Sequence, residues 1–501
     1  MEAAARLERL ERIVDRSGVA GRIEALLPTG VRRRQLQVRT LLVGMLLAAA
    51  DGRPAHLTRV HAALLALGDE EQLRLGVVAD WRHGSHLLSY RQTERTFALV
   101  RRVLDNERSD GCPSERLSEV LDALLEASVE DAGEPASCSY AVDWTDLETW
   151  SRPPPKKGGS CADPEGHWGH RRSNSPGDKD ESFFGYYLQV ATLVEDEGGP
   201  AVPELVRRIL LTSCKVDPPP AFAAVIERMA RGGIVVRDVL ADSGYAHRKP
   251  ESWAMPLRQL GAQLVQDLHP HDRGTKGTHM GAVLANGNLW CPQTPPALLA
   301  LSPLAPAASA EERAAHDRKS AELSRYKLAA ITGRDHDGYH RVACPAAQGK
   351  LRCPLRPESL TLAHDRPTVL EPPAEPPACC AQKTITVPPE VNAKTAQKHD
   401  YPSAAHRRSY ARRSAAERAY ASVKDPAAND VSRGWCRLMG LTPLALFAAC
   451  AVAARNLRVQ DSFRARQAEN ERRAATGLPP RTRRRRRRTA DELIAAANAP
   501  P

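Results

Sequence analysis

The chain has 501 residues and 42% hydrophobic content, enough to bury a sizeable core in about two or three domains, which excludes a wholly disordered polymer. Lys and Arg number 71 against 60 acidic residues, giving a net charge of +11 and a pI near 9.2, so a polyanion, nucleic acid first, is the partner this balance suits. The 11 cysteines are odd in number, scattered, and preceded by no apolar signal segment; this excludes a secreted disulfide scaffold and predicts reduced thiols.

Residues 1–133 read as a helical N-terminal domain: Leu7, Leu10 and Ile13 recur at helical spacing, and residues 41–50 and 117–125 repeat the pattern. Residues 41–50 are the most apolar early stretch, too short for a hydrocarbon core of about 30 Å, so no membrane span is expected. Arg32, Arg33, Arg34, Arg101 and Arg102 fit either a DNA-facing surface or solvated basic faces of a helical bundle.

From Ser137 the texture changes. A short strand-like run ends at Asp143 in a Trp-Thr turn, and residues 153–159 are a Pro, Lys and Gly loop. Residues 183–194 and 206–211 read as strands, 220–230 as a helix, and 234–241 as an apolar strand that ends at Asp242 in Asp-Ser-Gly-Tyr245, where the glycine allows a tight turn. With a further strand at 263–268, the order fits an α/β core with a mixed sheet and a site at its strand ends.

Residues 269–403 are rich in Pro and Ala, lack sustained periodicity, and read as an insertion. They hold Cys291, Cys344, Cys353, Cys379 and Cys380, whose spacing fits free thiols or, less directly, a four-thiolate zinc site without the usual paired knuckles. Trp290 fits either a core position or a platform for a flipped base. Helix returns at 404 and stops near Pro426, a second apolar helix covers 441–454, and residues 461–501 read as a disordered basic tail, with seven arginines in the eight positions 481–488.

The sharpest signal is Tyr410, Arg413, Glu417 and Lys424, spaced Y-x2-R-x3-E-x6-K. At about 100° per residue these four fall within a helical stripe of roughly 60°. One face thus carries a carboxylate flanked by two cations and a phenol, a set suited to a metal and to neighbouring phosphates, although a solvated salt-bridged face has the same spacing. Asp143 and Asp242 supply further carboxylates at strand ends, with Asp146, Glu148 and Asp238 as near neighbours that compete for the same roles.

Together these residues resemble the DDE transposases of bacterial insertion sequences, specifically the group with the Y-x2-R-x3-E-x6-K signature. Asp143 in Asp-x-Thr, Asp242 in Asp-x-Gly-Tyr, and Phe-Phe-Gly-Tyr-Tyr-Leu-Gln at 183–189 also resemble that group, over about residues 137–458. The resemblance implies an RNase H-like catalytic core in residues 134–268, interrupted by the insertion and completed by residues 404–460. It implies Asp143, Asp242 and Glu417 as catalytic residues and ligands of Mg²⁺ or Mn²⁺, two ions in all, with Tyr410, Arg413 and Lys424 on DNA phosphates. Water and then a freed 3′-hydroxyl would be the nucleophiles, without a covalent protein intermediate. The implied partners are transposon terminal inverted repeats, target DNA and a second copy of the chain on paired ends, in a bacterial, nucleoid-associated cytoplasmic setting. A transposase-derived DNA-binding protein without activity, or a metal-dependent nuclease without strand transfer, carries many of the same features.

Overall fold

The computed structural model describes residues 2–28, 34–81, 84–106, 110–129, 136–155, 159–171, 181–305 and 307–481. The chain is mixed α/β, with helices packed on both faces of a six-stranded sheet.

In helix α1 (Glu2–Ser17), Leu7, Leu10, Ile13 and Val14 form one buried stripe, as their spacing predicts. Helix α2 (Val38–Ala50) is buried over almost its whole length, which explains an apolar run that is too short for a membrane. It packs, with α3 (Glu115–Ala127), against the last helix among the described residues. Arg34 is paired with Glu24 and Arg101 with Asp105, whereas Arg32 and Arg33 lie outside the described residues.

The sheet is built on strand β1 (Ser139–Glu148). Strands β2 (His167–Arg171) and β3 (Glu181–Val194) follow, then β4 (Val206–Ser213), β5 (Asp238–Ala241) and β6 (Gln263–Gln266). Strand β3 pairs antiparallel with the whole length of β1, Asp143 opposite Val190, and carries β2 and β4 end to end on its other edge. On the opposite side β5 runs parallel to β1, and β6 parallel to β5, so the order across the sheet is β4-β3-β1-β5-β6. Between β4 and β5 the chain crosses over through helix α4 (Pro218–Arg231), the connection a parallel neighbour requires.

Side chains alternate across the sheet. Tyr140, Val142, Val239 and Ala241 pack with Phe222 and Ile226 of α4 on one face. Ala141, Leu147, Leu188, Val190 and Leu240 face the other way, into the larger core shared with the N-terminal helices, α5 (Ser414–Val423) and α6 (Leu441–Ala475). Asn456 of α6 fixes this arrangement at the edge of the sheet, where its amide accepts from the Val206 N–H at 3.0 Å and donates to the Val206 carbonyl at 2.9 Å. A side-chain amide thereby satisfies both backbone groups of an edge residue that, among the described residues, has no further strand beside it.

Two expectations about these elements change. Strand β1 does not end at Asp143: its pairing with β3 continues through Glu148, so the Trp-Thr pair is strand, not turn. Residues 461–475 are not irregular, because α6 continues through them to Ala475, with Arg464 facing Asp461 and Arg472 facing Glu469 one turn apart. The arginines at 483–488 lie outside the described residues.

Residues 267–403 form two three-stranded sheets of short strands, one over 275–290 and one combining Ala329–Ala330, His340–Ala343 and Thr384–Val387, with the helix Ala310–Ser324 between. They enclose two small apolar clusters of their own. The chain rejoins the sheet where the Lys398 N–H donates to the Leu264 carbonyl at 2.9 Å.

Candidate active site

Alternation along β1 decides where its acid points. Asp143 has the parity of Ala141 and Leu147, so its carboxylate projects towards α5 and not towards α4. Asp242 keeps the parity of Leu240 one residue beyond β5, at the same end of the sheet. Its side chain caps the one-turn helix Ser243–Ala246, accepting from the Gly244 N–H at 2.9 Å and the Tyr245 N–H at 3.3 Å. Glu417 lies in the first turn of α5, with a side chain 55% exposed.

The glycine after Asp242 serves closeness, not turn geometry. Gly244 has no left-handed backbone, but a Cβ there would stand 2.4 Å from the Trp144 ring. Trp144 packs on Tyr245, and Tyr245 on Trp253, each with ring centroids 4.6 Å apart, so an aromatic wall backs the two aspartates.

Arg413 ties two of the three carboxylates together. One guanidinium nitrogen donates to Asp143 Oδ2 at 2.9 Å and another to Glu417 Oε1, with Tyr410 beneath the guanidinium at 5.7 Å from ring centroid to Cζ. One cation is therefore shared in a field of three acids. Burial, followed by the charges of Asp242 and Glu417, outweighs Arg413 and raises the Asp143 carboxyl to about 7. Arg413 itself is held firmly protonated: burial disfavours its charge, but Tyr410, Asp143, Glu417 and Asp242 prevail. Such a site has an excess of negative charge and hard oxygen donors, and a divalent cation would relieve it.

Lys424 lies just past the end of α5 and donates to Thr145 Oγ1 at 2.8 Å and the Asp146 carbonyl at 2.7 Å. The signature residues therefore run along β1, although a tight turn at Ala411–Arg413 interrupts the helix that was expected to carry all four. Tyr420, which no sequence signal marked, joins α5 to the sheet: its buried hydroxyl meets the Asp143 carbonyl at 2.5 Å and the Leu188 carbonyl at 3.0 Å.

The competing acids are accounted for. Asp238 is fully buried between Lys398 Nζ, at 2.8 Å, and Arg412, at 2.9 Å, and serves as a structural ion pair. Asp146 and Glu148 are both held by Arg171, at 2.6 and 2.9 Å. Trp290 is 1% exposed, and its indole N–H donates to the Ala285 carbonyl at 2.8 Å, so it is a core residue without a face for a base.

Asp143 and Asp242 line a cleft of about 600 Å³ whose walls also carry His170, Arg171, His247, Arg248 and His269. These basic side chains were not singled out from the sequence, although the cluster of His269, His271 and nearby His247 is visible there in retrospect. His247 and His269 stack at 3.8 Å, and with Asp272 they offer ligand atoms within 4.8 Å of one another; Asp272 is also bound by Lys394 at 2.7 Å. Among the described residues no helix is long and apolar enough to cross a membrane. No family model matches the chain, and no curated protein matches it.

Proposed function

We propose that the chain is a DNA transposase of the DDE type, which cleaves at transposon ends and joins the freed 3′-hydroxyl to target DNA. The observation that carries this reading is the placement of Asp143, Asp242 and Glu417 about one end of the sheet, from β1, the end of β5 and α5, with Arg413 spanning Asp143 and Glu417 and the charges of Asp242 and Glu417 both felt at Asp143; among the described residues the three do not all offer oxygens within 4.8 Å of one another. The order β4-β3-β1-β5-β6, with β3 alone running antiparallel to its central neighbour and the last two strands parallel, supports an RNase H-like core. Residues 267–403, between β6 and the helix that bears Glu417, fit an insertion into that core.

Asp143, Asp242 and Glu417 are the residues that would hold Mg²⁺ or Mn²⁺. When bound, two such ions supply Lewis-acid activation of the attacking oxygen and neutralise charge on the leaving one. The protein's own groups do the rest. Arg413 orients Asp143 and Glu417 and offers its remaining donors to a phosphate. Arg171 places positive charge in the wall of the cleft that Asp143 and Asp242 line, Lys424 sits on Thr145 and the Asp146 carbonyl, and Tyr410 supports the Arg413 guanidinium from below. Trp144, Tyr245 and Trp253 exclude water behind the reacting phosphate. The net charge of +11 and the arginines of residues 481–488 supply salt-sensitive attraction to DNA. Both ends of a mobile element must be processed together, so two copies of the chain act on paired ends.

The test is cleavage of a labelled duplex bearing the inverted repeat that flanks the gene, with Mg²⁺ or Mn²⁺, by the intact protein and by Glu417→Ala. Metal-dependent cutting at the repeat end, lost in Glu417→Ala by on the order of a hundredfold or more, supports the proposal. Binding without cutting by either protein assigns the chain to DNA binding alone, and cutting without strand transfer assigns it to the nucleases.

A further inference from the structure

Outside the cleft, five thiols from four separate stretches of sequence come together in residues 267–403. Cys291 follows the strand Asn288–Trp290, Cys344 follows His340–Ala343, and Cys379 and Cys380 sit on the single turn Ala378–Ala381 that precedes Thr384–Val387. All five, Cys353 included, are at least nine-tenths buried, and Cys291, Cys344 and Cys353 belong to one packed cluster.

The local backbone around two of them is the same. Cys291-Pro-Gln-Thr294 and Cys353-Pro-Leu-Arg356 are each closed by an N–H of the fourth residue donating to the cysteine carbonyl at 2.9 Å. In each turn the amide of the third residue, Gln293 or Leu355, also points at the cysteine sulfur. An amide donor contributes little to a neutral thiol but makes a charge-assisted bond to a thiolate. A bound cation supplies that thiolate, because it deprotonates the thiols that ligate it.

We propose that residues 267–403 contain a structural zinc site whose ligands are the thiolates of Cys291, Cys344, Cys353 and Cys380. Cys380 is chosen over its neighbour Cys379 because Arg356, from the Cys353 turn, donates to the Cys380 carbonyl at 2.8 Å. Tetrahedral zinc with four sulfurs at about 2.3 Å sets them about 3.8 Å apart. Among the described residues no three of these sulfurs lie within 4.8 Å of one another, so zinc draws the turns inward as it binds. The need for such an ion is plain from the architecture: the strands here are two to five residues long, and two small apolar clusters must hold the segment together.

The experiment uses the full chain, purified without chelator under reducing conditions, with metal content measured by plasma mass spectrometry and zinc exchanged for cobalt(II). The expected result is one zinc per chain and a cobalt spectrum with thiolate charge-transfer and tetrahedral d–d bands. Both should persist in Asp143→Asn and Cys112→Ser and vanish in Cys353→Ser. Where Cys353→Ser fails to fold, the wild-type cobalt spectrum decides by itself. A zinc-free protein that gives no cobalt–thiolate bands overturns the proposal. So does zinc that survives Cys353→Ser but is lost from His247→Ala, which would place the ion on the imidazole cluster beside the cleft.

Discussion

Replacing Asp143 with asparagine tests the electrostatic account of the site directly. The side chain keeps its shape and loses its charge. In the folded protein the carboxyl titrates near 7 instead of the usual 3.8, so the folded chain holds a proton that the unfolded chain releases between those values. Wild-type stability is therefore highest on the acid side of this window, falls as pH rises through it, and levels off above about pH 7. At about 1.4 kcal/mol per pKa unit, full ionisation of Asp143 costs the fold on the order of 4 kcal/mol. The Asp143→Asn substitution removes that dependence. It also removes a partner of Arg413, an attraction already counted in the folded pKa of Asp143, so the slope and not the absolute value is diagnostic. Urea unfolding of both proteins in chelator, at intervals from pH 5 to pH 8, should show the variant gaining on wild type by about 2–3 kcal/mol between pH 5 and pH 7 and little thereafter. A flat difference, or wild type gaining as pH rises, would mean that Arg413 dominates and that Asp143 is ionised throughout.

Manganese(II) should raise the melting temperature of the wild type more at pH 8 than at pH 5.5, because the protonated carboxyl competes with the ion; Asp143→Asn should lose most of this effect at both pH values. Tyr420→Phe removes the donor that meets the Asp143 and Leu188 carbonyls, and denaturant unfolding should show a loss of about 1–2 kcal/mol. Gly244→Ala forces a methyl group against the Trp144 ring at the Asp242 cap; a loss of about 1–3 kcal/mol and reduced DNA cleavage are expected, whereas unchanged stability would show that the ring moves freely. Asn456→Ala strips both partners from the Val206 backbone, and unfolding should be easier by about 2–3 kcal/mol, with faster hydrogen exchange at Val206.

Much of the site was legible in the sequence because its chemistry follows local periodicity. The spacing of Arg413, Glu417 and Lys424 sets them on one side of a helical segment, and the apolar runs before Asp143 and Asp242 mark strands in an α/β chain. What local pattern could not supply is the identity of the neighbour. Asp238 and Asp242 are equivalent by type and parity, and only packing shows Lys398 and Arg412 closing over the first while the second opens onto the cleft. Whether Arg413 would face a phosphate or a carboxylate depended on how α5 docks across β1, which Tyr420 fixes through two strand carbonyls. The same limit applies to the thiols: only the pairing of His340–Ala343 with Thr384–Val387 shows that the turns of Cys344 and Cys380 are neighbours, which their spacing in sequence does not tell. Side-chain type and periodicity are properties of a few neighbouring residues, and they determined which groups this protein has and which way each one faces. Which groups meet is a property of strand order and helix docking, and that was decided only when the sheet assembled and buried its two faces.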